Sequence, residues 1–197
     1  MDTPSGAIEL LAGAISYMLG VCAPIGAAEL TLPTPCPDWD LASLLGHLCE
    51  SMADLETALR TGRLDLEGPA ARAGGDPVEA LRDRGAELLC AGYCYGGPER
   101  FVAVGGLPIP AGVVACTGAV EIAVHGWDVS AARGRIPQTP IPAGLAARLL
   151  RLSPLLVASR AGLFAVPVEV PAQASPGDRL VGYLGRNPGR SSGVTGE

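Results

Sequence analysis

The chain has 197 residues and a formal net charge of −6, a length that suits one domain, or one domain with a tail. The acidic balance argues against a nucleic-acid partner, whose binding relies on a basic surface. Hydrophobic residues make up 48% and aromatics only 4%, so the chain can bury a sizeable core made mostly of Ala, Leu and Val.

Every fixed cation is an arginine, which together with the many Ala and Gly residues reads as high-GC coding. The start, MDTPSGAIELLAGAIS, has no basic stretch before its apolar run and is not a secretory signal. No uninterrupted apolar run approaches the ~20 residues of a membrane span. A soluble, cytoplasmic protein without membrane or nucleic-acid partners is expected. Six cysteines occur with no C-x-x-C pair; in a reducing compartment each reads as a small buried hydrophobe. Cys90 and Cys94 are spaced to share a helix face, but no second pair completes a metal site.

Along the chain, apolar residues at helical spacing (Ile8, Leu11, Ile15, Met18, Leu19, Cys22) predict a first helix over 5–28. PTPCPDWD (33–40) cannot be regular helix, because its three prolines remove donors and fix the backbone. Asp40 is a good N-cap for a second helix, Leu41–Leu59, with the stripe Leu41, Leu44, Leu45, Leu48, Met52 and Leu55. Residues 62–75 are polar and Gly-rich and read as a loop. A third helix is expected from Pro77 to about Tyr93, with proline in its first turn. FVAVGGLPIP (101–110) reads as a small hairpin turning at Gly105-Gly106, kept at a sheet edge by Pro108 and Pro110. A fourth helix follows over Ala111–Ala132, ending near Gly134. Another is expected over Pro142–Ser159, kinked or ended by Pro154. LFAVPVEVPAQ (163–173) has room for one short strand. Residues 1–188 are expected as a single domain, with 189–197 a disordered tail. The fold class is mainly α: a four-helix bundle with long crossover loops and a minor β hairpin.

The histidines carry the chemistry. His125 stands four residues after Glu121 in EIAVHGWDVS, so both side chains lie on one face of the fourth helix, with Asp128 on the same side. His47 stands on the second helix at the polar edge of its leucine stripe, with Glu50 one turn on. If those helices pack together, two imidazoles and a carboxylate meet in one pocket. That donor set suits Zn²⁺ with an open fourth position, and also Ni²⁺, Fe²⁺ or Mn²⁺. The spacing alone is a weak signal, and ordinary surface or hydrogen-bonded core histidines are the competing reading. A di-iron carboxylate bundle would need more inward carboxylates than the sequence places.

TPCPDWDLASLLGHL followed by EIAVHGWDVSAARG resembles the DinB/YfiT-like superfamily of metal-binding four-helix bundles. More narrowly it resembles the actinobacterial branch containing the N-terminal domain of mycothiol-dependent maleylpyruvate isomerase. The resemblance implies that His47, Glu121 and His125 hold a divalent metal. VPAQASPGDRLVGYLGRNP (170–188) resembles the end of short members of that branch, so the likeness spans nearly the whole chain. Relatives include thiol-dependent isomerases and S-transferases. The resemblance therefore implies a metal-dependent enzyme acting on a small electrophilic molecule, with mycothiol as co-substrate in transfer or isomerisation. Glu50 and Asp128 are the candidate proton carriers, and Asp128 is also placed to orient a ligand or to pair with an arginine. The chain is too short for the full second domain of the isomerase, which leaves two alternatives. One is a thiol-independent Lewis-acid enzyme (cyclase, epimerase or hydrolase) of secondary metabolism; the other is a non-catalytic metal-binding protein. Trp127, opposite His125, reads as core, Gly126 as a point of close helix packing and Trp39 as a staple for the loop before the second helix. Low surface charge makes a homodimer plausible.

Overall fold

A computed structural model describes residues 4–23, 25–64, 76–97, 99–156 and 165–189. Six α-helices dominate: α1 (Pro4–Cys22), α2 (Leu41–Thr61), α3 (Pro77–Tyr95), α4 (Ala111–Ala132), α5 (Ala143–Leu156) and α6 (Pro176–Tyr183). The strands β1 (Arg63–Leu64), β2 (Phe101–Val104) and β3 (Leu107–Pro110) form one small sheet in the order β1-β2-β3. The chain is therefore a helical bundle with a minor β element, as its periodicity predicts. No helix among the described residues is long and apolar enough to cross a membrane.

Helix α4 is the axis of the packing. It packs most extensively against α1 and also meets α2 and α5. Every residue from Ile122 to Ala132 is buried, so this helix is apolar and small on all sides rather than striped. Its Ala and Gly content has a steric purpose. A Cβ on Gly126 would stand 3.0 Å from Tyr17 Cε1 and 3.4 Å from the Met18 Cα, so glycine lets α1 and α4 approach closely. Trp127, 2% exposed, fills the core as expected.

Helix α2 starts where the sequence puts it. The Asp40 carboxylate accepts from the Ser43 amide at 2.8 Å and from its hydroxyl at 2.6 Å, satisfying a donor that the first turn leaves free. Leu41, Leu44, Leu45, Leu48 and Met52 are all fully buried. The hairpin forms as predicted, with Gly105 and Gly106 at φ 55° and 82° and Val102 paired with Ile109. Strand β3, with its two prolines, is one of the two edges.

Four expectations need correction. The first helix ends at Cys22, not 28, because Pro24 disfavours helical backbone in the residue before it; a short 3-10 turn, Ala27–Glu29, follows. The expected loop from 62 begins with a strand: Gly62 turns the chain at φ 74° and its carbonyl accepts from the Ala103 amide at 2.8 Å, so Arg63–Leu64 runs parallel to β2. The remainder of that loop, 65–75, lies outside the described residues. The described part of the expected strand, 165–173, is in no sheet. Pro167 and Pro171 have no N–H to give a ladder, and the Val168 amide donates instead to the Gly182 carbonyl at 2.9 Å. Finally, α6 is an additional helix. Ser175 caps it by accepting from the Asp178 amide at 3.1 Å, and Leu180, Val181 and Leu184 are fully buried. Helix α5 keeps Pro154 within it and reaches Leu156; the expected end over 157–159, the start of the strand segment at 163–164, and tail residues 190–197 lie outside the described residues.

Candidate metal centre

The close packing of α2 and α4 brings His47, Glu121 and His125 together. Glu121 Oε1 lies 2.9 Å from His47 Nε2 and 3.2 Å from His125 Nε2. The two imidazole centroids are 5.1 Å apart, and the rings stand nearly perpendicular at 84°. Each of the three residues offers a donor atom, and these atoms lie within 4.8 Å of one another. Among the described residues, no fourth His, Cys, Asp or Glu joins them. His47 and Glu121 have side chains 31% and 30% exposed, against 9% for His125. The cluster is thus closed around His125 and open at His47 and Glu121. Ser51 Oγ lies 3.4 Å from His47 Nε2, at the open rim.

Two sides of the His125 ring are engaged at once. Nε2 faces Glu121, one turn earlier, and Nδ1 lies 2.9 Å from Asp128 Oδ2, one turn later. Asp128 is fully buried and is also the partner of Arg186, whose Nη2 donates to Oδ2 at 2.8 Å and Nε to Oδ1 at 3.3 Å. Asp128 thus pairs with an arginine and also hydrogen-bonds His125, the contact that a role in orienting that ring would require.

The electrostatics follow from this crowding. Burial opposes the charged form of Glu121, but its bonds to His125 and His47 outweigh that and hold the carboxyl well below its usual range. Burial likewise works against a charged His125, yet its bonds to Asp128, Cys36 and Glu121 push the imidazole up to about 11. Asp128 is lowered despite burial by His125 and Arg186. Arg186 is raised, burial being outweighed chiefly by Asp128. Carboxylates therefore alternate with nitrogen bases, from the His47 imidazole through Glu121, His125 and Asp128 to the Arg186 guanidinium.

The PTPCPDWD loop closes over this array. The Thr34 hydroxyl donates to the Trp39 carbonyl at 2.9 Å, and accepts from the Cys36 amide at 3.1 Å. Asp38 takes a positive φ of 67° at the loop's tip. The loop so fixed sets Trp39 against His47, with centroids 4.8 Å apart, and 6.3 Å from His125. Trp39 is therefore a wall of the site as well as a loop staple. Cys36 Sγ donates to Asp128 Oδ2 at 3.5 Å and stands 3.9 Å from His125 Nδ1, behind the ring.

Of the residues expected from the sequence, His47, Glu121, His125 and Asp128 are brought together. Glu50 is half-buried one turn beyond His47, and makes no hydrogen bond or ion pair with the others. Cys36, Ser51, Trp39 and Arg186 are the site neighbours that sequence reasoning missed. The only available signals were the proximity of Cys36 and Trp39 to a proline-fixed loop and the position of Ser51 four residues after His47.

Residues 11–130, more than half the chain, match the family described as mycothiol maleylpyruvate isomerase N-terminal domain. Two uncharacterized proteins of Mycobacterium tuberculosis are similar: MT0763 of strain CDC 1551 / Oshkosh and Rv0738 of strain ATCC 25618 / H37Rv. Each is 26% identical over 169 residues, covering 82% of this chain and 87% of the relative. No solved structure matches the chain. The matched segment runs from within α1 through His125 and Asp128 on α4. The chain belongs to the mycothiol maleylpyruvate isomerase N-terminal domain family.

Proposed function

We propose that the protein is a divalent-metal-dependent enzyme that uses a low-molecular-weight thiol, mycothiol, to transfer to or isomerise a small electrophilic molecule. The observation that carries this reading is the convergence of His47 Nε2, His125 Nε2 and a Glu121 carboxylate oxygen within 4.8 Å, open to solvent on one face. Two imidazoles and one carboxylate, with no fourth His, Cys, Asp or Glu donor among the described residues, fit a cation that keeps a position for water or substrate, zinc first, with nickel, iron or manganese as the alternatives. A cation held there supplies Lewis acidity, which lowers the pKa of a thiol or water and polarises a carbonyl. The family's own description supports mycothiol as the thiol.

The chain's residues divide the remaining work. Asp128 accepts from Nδ1 and so turns the His125 ring with Nε2 toward Glu121 and His47, where a bound cation would take the place of the Nε2 proton. Trp39 excludes water from the His47 side and offers an apolar face to the electrophile. Glu50 is the proton carrier in this reading, since Asp128 is fully buried and already engaged by His125 and Arg186. The test is a cobalt-substituted sample titrated with mycothiol and then given a conjugated electrophile. A thiol-dependent change in the cobalt spectrum followed by turnover supports the reading. Cobalt bound without any response to thiol would contradict the thiol-dependent step and favour Lewis-acid chemistry on another substrate.

A further inference from the structure

The geometry points to Arg186 as a positioning residue of the candidate centre, delivered by a segment outside the family match. That match ends at residue 130, whereas Arg186 follows α6, 58 residues beyond the aspartate it grips. Three features aim it. First, α6 is anchored: Leu180, Val181 and Leu184 are fully buried, and the Gly182 carbonyl accepts from Val168 at 2.9 Å. Second, the helix stops in a tight turn. Gly185 takes φ 86°, and the Arg186 amide reaches back to the Val181 carbonyl at 2.9 Å. This is the left-handed glycine termination that reverses the chain's direction. A Cβ on Gly185 would also stand 2.6 Å from the Ala165 Cβ, so the turn is fixed by space as well as by backbone. Third, the side chain is held at both ends: Nη1 donates to the Leu184 carbonyl at 3.0 Å, while Nε and Nη2 take both oxygens of Asp128.

A two-point grip of this kind fixes the plane of a carboxylate, which a single contact does not. Oδ2 of Asp128 is thereby held where it meets His125 Nδ1 at 2.9 Å. The plane of Asp128 sets the rotation of the His125 ring, and that rotation aims Nε2 at Glu121 and His47. Arg186 touches none of the three donors, so its influence passes through Asp128 and the imidazole. The C-terminal helix is then part of the site's construction rather than an appendage to the bundle.

The test compares wild type, Arg186→Gln and Arg186→Lys in the full-length chain. In metal-free protein, ¹H–¹⁵N correlations of the ring nitrogens read the His125 Nδ1 bond directly. The chain has two histidines, and His47→Ala assigns which signals belong to His125. In Arg186→Gln the Nδ1 resonance is expected to leave its wild-type position and its proton to be lost to exchange. Arg186→Lys, with the charge but a single point of contact, is expected to restore it in part. Cobalt titration of the same proteins is the second readout and rests on the metal reading above. Affinity is expected to fall about 10–100-fold in Arg186→Gln, and less in Arg186→Lys. A wild-type Nδ1 signal in a folded Arg186→Gln protein would overturn the inference. Should only Arg186→Lys fold, an unchanged Nδ1 signal there overturns it equally. If wild type takes up no cobalt, the metal reading falls while the Nδ1 comparison still decides the role of Arg186.

Discussion

Replacing Gly126 by alanine tests whether α1 and α4 pack as closely as the site requires. In an open helix this change stabilises by about 1 kcal/mol, because glycine has the higher backbone entropy to lose. Here the new Cβ meets Tyr17 Cε1 at 3.0 Å and Cδ1 at 3.2 Å, with the Met18 Cα at 3.4 Å behind them. The tyrosine ring has little room to yield: it is 9% exposed and its hydroxyl donates to the Thr139 carbonyl at 3.1 Å. Overpacking of this kind costs about 1–3 kcal/mol, which exceeds the propensity gain. The net effect is a loss of about 0–2 kcal/mol, or a fall in Tm of up to about 8 °C at this chain length. Gly126→Leu, with three more carbons and nowhere to place them, falls beyond that range. Shrinking the opposing ring, in Tyr17→Leu with Gly126→Ala, is expected to cost less than the sum of the single changes, since the two positions touch. Thermal unfolding followed by circular dichroism reads these four variants beside wild type. A Gly126→Ala protein that melts 2–4 °C higher, as an uncrowded helix would at about 1 kcal/mol, would refute the packing on which the site is built.

Other consequences are accessible to simple assays. Against the expectation of six buried thiols, Cys90 and Cys94 are exposed and Cys36 is half-buried, whereas Cys22, Cys49 and Cys116 are buried, and burial pushes the Cys22 thiol up to about 12. A thiol-disulfide reagent is therefore expected to modify Cys90 and Cys94 first and Cys22 only on unfolding; rapid labelling of Cys22 in the native chain would contradict the core. Burial also raises the Tyr17 phenol from 10.0 to about 12, against the opposing bond to Ser130. A raised acid favours its neutral form in the fold, so this contribution is complete below pH 10 and is lost as pH rises through 12. It amounts to on the order of 2–3 kcal/mol; a phenol that ionises at its ordinary pH in folded protein, seen in a spectrophotometric titration of wild type against Tyr17→Phe, would argue against it. Thr34→Val removes the hydroxyl shared between Cys36 and Trp39, with an expected loss of about 1 kcal/mol. Acrylamide should then quench Trp39 more readily, and unchanged quenching would mean that Thr34 does not hold the loop.

Much of this architecture is legible in the residues because helices write a period into sequence. The leucine stripe of α2 and the four-residue step from Glu121 to His125 each define one helix face, and Asp40 marks the start of α2 by chemistry that is local. The hairpin is legible for the same reason: two glycines and two prolines fix it within ten residues. What escapes is long-range. Arg186 has no sequence mark that ties it to Asp128, since the pairing is made by the fold across 58 residues. Helix α6 carries a readable cap in Ser175 and Asp178, but its eight residues include Pro176 and two glycines, which mask the signal. The alternation around Val166, Val168 and Val170 imitates a strand, and only the absence of a ladder partner along 165–173 reveals otherwise. Trp39 belongs to the same class: its place in the loop is local, and its contact with His47 is tertiary.

The central claim is that His47, Glu121 and His125 hold one divalent ion. Elemental analysis of untagged full-length protein, reconstituted and then dialysed, tests it most directly beside His47→Ala, Glu121→Gln and His125→Ala. The account predicts about one metal per chain in wild type and its loss in each variant, with circular dichroism showing that the helices remain. Wild type that retains no metal after reconstitution, or variants that retain as much as wild type, would contradict it.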